Sequence, residues 1–219
     1  MALTIAVLGG TGKEGQGLAA RWSHAGYRVV IGSREAARGA EVADALRGRL
    51  GGDVDGTDNA EAARAGDIAV LTPRFEGIRD TLDDCAEGLS GKLVISAVIP
   101  LQVTAERQFL TRAVPEGSAA ELAASLLPGS RVAAAFHSVS ASHLLDLEHD
   151  LDEDVLLVAD DEADRERVAE LVRAIGARPV AAGPLNLARY LEDVTALLLN
   201  VNRLQRVTAG LRLSGLPGT

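Results

Sequence analysis

Cys85 is the only cysteine in the chain, so no disulfide can form within it and no cysteine cluster is available for zinc or iron–sulfur ligation. The expected setting is a reducing cytoplasm, and no metal site is expected. Aromatic residues make up 3% of the sequence, too few for the stacking platforms that hold single-stranded nucleic acid. A net charge of -9 repels a phosphate backbone. No apolar run approaches the roughly 20 residues of a membrane span. The apolar start "MALTIAVLGG" lacks a positive leader and breaks at glycine, the pattern of a first strand rather than a secretion signal. Lysine is nearly missing: Lys13 and Lys92 are the two present.

What the sequence does contain is 47% apolar residues over 219 positions, enough for a buried core. Apolar runs alternate with amphipathic stretches, which is the pattern of strands covered on both faces by crossover helices. The expected fold class is α/β, a doubly wound and mostly parallel sheet of the Rossmann type with a small C-terminal helical extension. Strands are expected at 3–8, 28–33, 67–72, 92–97, 131–136, 154–159 and 178–183, with helices at 13–25, 35–49, 59–64, 75–88, 118–126 and 162–175. The stretch 98–117 is long for a plain connection, and a helical pattern rich in leucine runs on from Pro184. Residues 1–150 are expected to form a nucleotide-binding domain, and 151–219 a smaller part that completes the sheet and a second cofactor cleft.

Gly10, Gly12 and Gly15 form G-x-G-x-x-G between the first strand and the first helix. In a dinucleotide site the first glycine allows a tight turn, the second brings backbone N–H groups close to the pyrophosphate, and the third allows close helix packing at the helix's positive N-terminus. A glycine turn in some other α/β protein is the alternative. The second strand ends in Gly32, Ser33 and Arg34, with Arg38 one turn later, where NAD-binding proteins usually carry an acid for the ribose hydroxyl. A hydroxyl and two guanidiniums suit a 2′-phosphate, so NADP(H) is expected. The competing account makes Arg34 and Arg38 a solvated helix face balanced by Glu35 and Glu41.

A proton donor for carbonyl reduction is hard to find. Lys13 lies in the glycine loop, Lys92 opens a strand, Tyr27 precedes the second strand and Tyr190 has no lysine nearby. His137 follows the strand at 131–136, where a site is expected. Ser138 and Asp146 could complete a Ser-His-acid set with it, but no G-x-S-x-G elbow accompanies them. Direct hydride transfer between two bound cofactors needs alignment and no acid–base pair.

On the stretches "AVLGGTGKEGQGLAARWSHAGYRVVIGSR", "DIAVLT", "GSAAELAASLLPGSRVAAAFHSVSA" and "AGPLNLARYLEDVTALLLNVNR", the chain resembles the NADPH-dependent reductases of coenzyme F420, a deazaflavin, along nearly its whole length. The resemblance implies an oxidoreductase with NADP(H) and coenzyme F420 as cofactors. It places NADP(H) on Gly10, Thr11, Gly12, Lys13, Glu14, Gly15, Ser33, Arg34 and Arg38, with Thr72 and Pro73 nearby. It places the deazaflavin against Ala97, Val98, Ile99, Pro100, His137, Val139 and Ser140. Arg74, Val139 and Ser140 depart from the family's familiar pattern and leave the second cofactor open. A reductase of a small carbonyl or imine, with His137 or a water as donor, and a non-catalytic NADP(H) sensor are the rival readings. From Asn186 onward Arg189, Arg203, Arg206 and Arg212 outnumber Glu192 and Asp193, a local positive excess that suits an acidic cofactor tail. The leucine-rich final helix either packs on the sheet or meets its copy in a second subunit, and a homodimer is the expectation.

Overall fold

A computed structural model of the chain describes residues 3–216; residues 1, 2 and 217–219 of the two expected segments lie outside them. Strand β1 (Thr4–Leu8) leads through helix α1 (Lys13–His24) to β2 (Arg28–Ser33), and α2 (Ala36–Leu50) leads to β3 (Val54–Asp58). Then come α3 (Asn59–Ala65), β4 (Ile68–Leu71), α4 (Ile78–Leu89) and β5 (Leu93–Ser96). Strands β6 (Leu101–Val103) and β7 (Phe109–Thr111) precede α5 (Ala119–Leu126), β8 (Arg131–Ala134) and a short helix, α6 (Ala141–Leu145). The chain finishes with β9 (Asp154–Ala159), α7 (Glu162–Ala174), β10 (Arg178–Gly183) and α8 (Ala188–Gln205).

Every expected strand is present, and three elements appear that the apolar pattern did not announce. The first is β3, whose sequence "VDGTD" offers one strongly apolar residue; it is a half-exposed edge strand hydrogen-bonded only to β2. Gly56 sits in it because a Cβ there would lie 2.0 Å from the backbone oxygen of Gly39 on α2. The second is the antiparallel ribbon β6–β7 inside the long stretch 98–117. The third is α6, too short for a helical period to register.

Eight strands form one sheet in the order β10-β9-β8-β5-β4-β1-β2-β3. The six from β8 to β3 are mutually parallel, but β9 runs antiparallel to β8, and β10 runs parallel to β9. The sheet is thus mostly parallel, as expected, with its one reversal between β8 and β9. The connection from β8 stays at the edge it has reached, turns through α6, and comes straight back without crossing a face. Alternate residues of each strand feed opposite layers. Ile5, Val7 and Ile31 join Trp22, Leu18 and Phe136 on one side, whereas Ala6, Leu8 and Val30 join Leu82, Leu89 and Ala119 on the other.

Helix α8 is fastened at its first half. The buried Glu192 carboxylate accepts hydrogen bonds from the Ala119 and Ala120 amides at 2.9 and 3.4 Å, capping α5 from outside. Burial pushes that carboxyl up to about 8 despite the two donors. The second half reaches the ribbon, where Asn200 bonds both backbone groups of Phe109 and Thr111 donates to Asp193. After Arg206, in left-handed conformation, the chain returns to β9, with the Asp154 amide donating to Leu211 and the Leu213 amide to the Asp154 carboxylate.

Candidate active site

The ends of β1, β2, β4, β5 and β8 lie side by side, so the loops that follow them share one edge. The glycine loop is positioned from below. Gly9 has φ 67 and its amide donates to the Asn59 side chain at 2.9 Å, while the Gly10 amide donates to Gly32 at 2.9 Å. The turn's left-handed residue is therefore Gly9, not Gly10 as the motif implies. Gly10 is required for a different reason: a Cβ on it would stand 2.6 Å from the Val7 carbonyl. Gly15 is required because its Cβ would lie 2.5 Å from the Gly10 Cα. A Cβ on Gly12 would meet nothing within 4 Å, so its outer face is open. Gly12 is also the N-cap of α1 and offers no side chain to the first-turn amides. Those amides are left for a ligand anion.

A cleft of about 780 Å³ opens over this loop. Thr11, Gly12, Ser33, Arg34 and Arg38 form one wall, and Thr72, Pro73, Arg74, Glu76, Asp80 and Thr81 the other. The volume lies in the usual range for small-molecule sites. Among the described residues Arg34 makes no hydrogen bond or ion pair, whereas Arg38 is bound to Glu41 at 2.6 Å. The solvated-face account thus fits Arg38 and not Arg34. Ser33 is buried, its hydroxyl facing the Glu35 amide at 3.4 Å. An unpaired guanidinium beside a hydroxyl, next to bare helix amides, fits a nucleotide with one phosphate beyond the pyrophosphate.

Two loop residues do not face the cleft. Lys13 is exposed at the start of α1, and Glu14 turns its carboxyl inward, where Oε1 is shut from solvent without a hydrogen-bond partner. Asn59, Glu35, Glu76, Gly77, Asp80 and Thr81 enter the cleft lining without having been expected there. Only Asn59 left a sequence signal, as the first residue of a helix that follows a strand end. Arg74 lines the wall as its position implied; Glu76 is held below the ordinary carboxylate range by its own backbone hydrogen bond and then by its partner Arg112, with Arg74 adding least.

The residues expected against the deazaflavin are adjacent but largely inward. Val98, Pro100, His137 and Val139 are buried; Ala97, Ile99 and Ser140 are half-buried. Phe136, at φ 73, is forced into the left-handed region and held there edge-on to Trp22 with ring centroids 5.4 Å apart. That kink aims His137 into the protein. Neither ring nitrogen has a well-formed hydrogen bond, and burial pushes the imidazole down to about 4 against a weaker opposing pull from the Val98 backbone. It is neutral at physiological pH. The cavity against it, walled by Ser138, Leu156, Leu191 and Val194, holds about 10 Å³, at the lower limit for one water.

No lysine or tyrosine stands at the cleft. Lys92 donates to the Ala63 and Arg64 carbonyls at the start of β5, and Tyr190 is exposed on α8. The C-terminal positive excess is partly used up: Arg212 pairs with Asp152 at 2.8 Å and Arg189 donates to the Gly117 carbonyl.

Residues 4–100 match the family model described as NADP oxidoreductase, coenzyme F420-dependent. The F420-dependent NADP reductase of Methanothermobacter thermautotrophicus is 39% identical, over 99% of this chain and 97% of that one. The F420-dependent NADP reductase of Methanocaldococcus jannaschii is 34% identical, over 98% of this chain and 99% of that one. A crystal structure from Arthrobacter sp., assigned as an F420-dependent NADP reductase, shares the fold with a TM-score of 0.84 at 21% identity, over 96% of this chain and 98% of that one.

Proposed function

The chain belongs to the F420-dependent NADP reductase family and is an oxidoreductase joining NADP(H) to coenzyme F420; on that premise we propose how its own residues divide the work. Gly12 and the first amides of α1 receive the pyrophosphate, with Gly10 and Gly15 keeping the loop low enough for the approach. Ser33 and Arg34 hold the 2′-phosphate, and Arg38 joins them by exchanging its bond to Glu41. Thr72 and Pro73, at the end of β4, border the nicotinamide end. The observation that carries this reading is the unpaired Arg34 beside Ser33 in the wall of an open cleft.

F420 accepts or returns the hydride that NADP(H) supplies, and the protein's task is to align the two and keep water away. The backbone of Ala97 to Pro100 and the His137 to Ser140 turn form a low apolar shelf beside the cleft, on which a flat ring can lie without entering a closed pocket. His137 supports that shelf from beneath, its ring turned inward and neutral. Residues 1–150 hold NADP(H), and those from 151 onward complete the second cleft. Lys13 and Glu14 contribute through their backbone.

Assembly as a homodimer is supported by an apolar stripe on α8. Tyr190, Leu197, Val201 and Leu204 are exposed at helical spacing, beside exposed Val103 and Leu110 of the ribbon. Light scattering on Leu197→Asp with Leu204→Asp is expected to give half the wild-type mass. A cytoplasmic setting agrees with the lone buried Cys85; among the described residues no helix is long and apolar enough to cross a membrane. For the reaction, purified protein mixed with NADPH and F420 is expected to bleach the deazaflavin absorbance, and no bleaching above background overturns the assignment.

A further inference from the structure

Behind the glycine loop, on the side away from the cleft, lies a cluster of ionisable groups that hydride transfer does not use. Glu14 stands in the first turn of α1, and its buried oxygen has no hydrogen-bond partner. The charge that acts on it is that of Glu153, just before β9, which is buried and has an oxygen, Oε2, without a partner. The other oxygen of Glu153 contacts His143 Nδ1 at 3.0 Å, and the His143 ring lies against that of His149 with centroids 4.1 Å apart. Two carboxyl groups are thus shut in together next to one imidazole pair.

The cations around them are committed elsewhere. Arg21, two turns along α1, donates to the backbone carbonyls of His143, Leu144, Asp146, His149 and Ile175. Its nearby acids are Asp146 and Asp150. Arg49 of α2 donates to the Leu145 carbonyl. Arg178 of β10 grips Asp154 with two nitrogens at 2.6 and 2.7 Å, and Arg212 of the returning tail pairs with Asp152 and Asp154. The tail also seals the cluster, since a Cβ on Gly210 would lie 2.3 Å from the Glu153 carboxyl carbon. Lys13 is exposed and points outward.

We propose that Glu14, with Glu153 and His143 behind it, is a proton-controlled brake on dinucleotide binding: neutral Glu14 leaves the glycine loop free to take the pyrophosphate, and ionised Glu14 weakens that grip. The proposal rests on the glycine loop being the pyrophosphate site. A carboxylate in the first turn and a bound pyrophosphate draw on the same helix amides and the same positive end, and they repel each other. Among the described residues no cation is seen to offset the charge, so ionising Glu14 also strains the closed contact between α1 and α6, where a Cβ on Gly17 would already lie 2.5 Å from the Leu144 Cβ. Burial, and Glu153 in second place, push the Glu14 carboxyl up to about 8, which puts the transition within reach of ordinary buffers.

The sign follows from linkage. Pyrophosphate prefers the protonated form, so affinity is level below the transition and falls as pH rises through it. NADPH affinity, measured by the fluorescence of the bound nucleotide from pH 7 to 9.5, is expected to fall on the order of ten-fold in the wild type. Glu14→Gln is expected to show no fall over that range, whatever its absolute affinity, and Glu153→Gln to move the fall to lower pH. A fall unchanged in Glu14→Gln, or no fall in the wild type, overturns the proposal. If Glu14→Gln fails to fold, carboxyl carbon NMR of the wild-type holoprotein decides: titration of Glu14 near the ordinary value of about 4.3 overturns it. NADPH that binds at no pH overturns the site assignment along with the brake; binding without a Glu14-dependent slope overturns the brake alone.

Discussion

Along one edge of the sheet, the loops after β1 and β2 leave a cleft of about 780 Å³ with an unpaired guanidinium in its wall. On the same edge, the loops after β5 and β8 bury Val98, His137 and Val139, and the cavity against His137 holds about 10 Å³. The first face is made of bare backbone and charge, and it stands ready before the ligand arrives. The second is the outer skin of the hydrophobic core, shaped by the packing of Phe136 on Trp22. On the proposed placement, one partner of the hydride exchange would be held by directed bonds to an anion, and the other by the shape of a surface. A protein that must take up and release two large coenzymes gains from this asymmetry, because apolar contact on an open shelf can be formed and lost without rearranging a charged pocket.

Breaking the first face at its narrowest point gives the largest effect. Gly15→Val places side-chain carbon where the Gly10 backbone already stands, 2.5 Å from a Cβ, and is expected to abolish measurable NADPH binding, as read by fluorescence titration. Breaking the second face from beneath comes next. Phe136→Ala removes a fully buried ring and is expected to cost about 3 to 5 kcal/mol of stability in denaturant unfolding. F420 turnover should fall more than NADPH affinity at temperatures where the variant stays folded.

Removing the unpaired guanidinium sharpens the contrast. Arg34→Ala is expected to weaken NADPH by about 1.5 to 3 kcal/mol, roughly 10- to 150-fold, and to leave NADH nearly unchanged. Arg38→Ala, already bonded to Glu41 in the free protein, is expected to cost less than Arg34→Ala in the same titration. The last test concerns His137. Its imidazole is held down to about 4, below its unfolded value of about 6.5, so it contributes stability above pH 6.5 that is lost as pH falls through that window. His137→Leu is expected to flatten the acid limb of the stability profile between pH 6.5 and 4. An unchanged limb means that the ring is hydrated.

The nucleotide face was legible because its requirements are local. G-x-G-x-x-G after an apolar run, and Ser33-Arg34 at the next strand end, are fixed by backbone clearance and phosphate charge within a few residues. Even there the division of labour among the glycines was not legible: Gly9 carries the left-handed turn, and a Cβ on it would lie 2.8 Å from Pro73, which comes from a distant strand end. The second face was legible only as a set of positions, since inward or outward aim depends on the Phe136 kink, and a positive φ at phenylalanine has no sequence signature. β3 escaped notice because an edge strand needs little apolar surface, and the β6–β7 ribbon because three-residue strands are shorter than any detectable period. The influence of Glu153 on Glu14 was not legible, because the two are 139 positions apart in the chain.

The reversal of β9 also decides where the molecule can be handled. Because that strand runs back, its finish at Asp160 and Asp161 lies at the edge where β8 begins, a placement fixed by the contact of Arg131 with Asp164 at 2.6 Å. A fluorophore or affinity handle grafted at that bend sits at the far pole from both coenzymes and reports without interfering. The same graft at Glu148 to Asp152, a few positions upstream, falls behind the glycine loop.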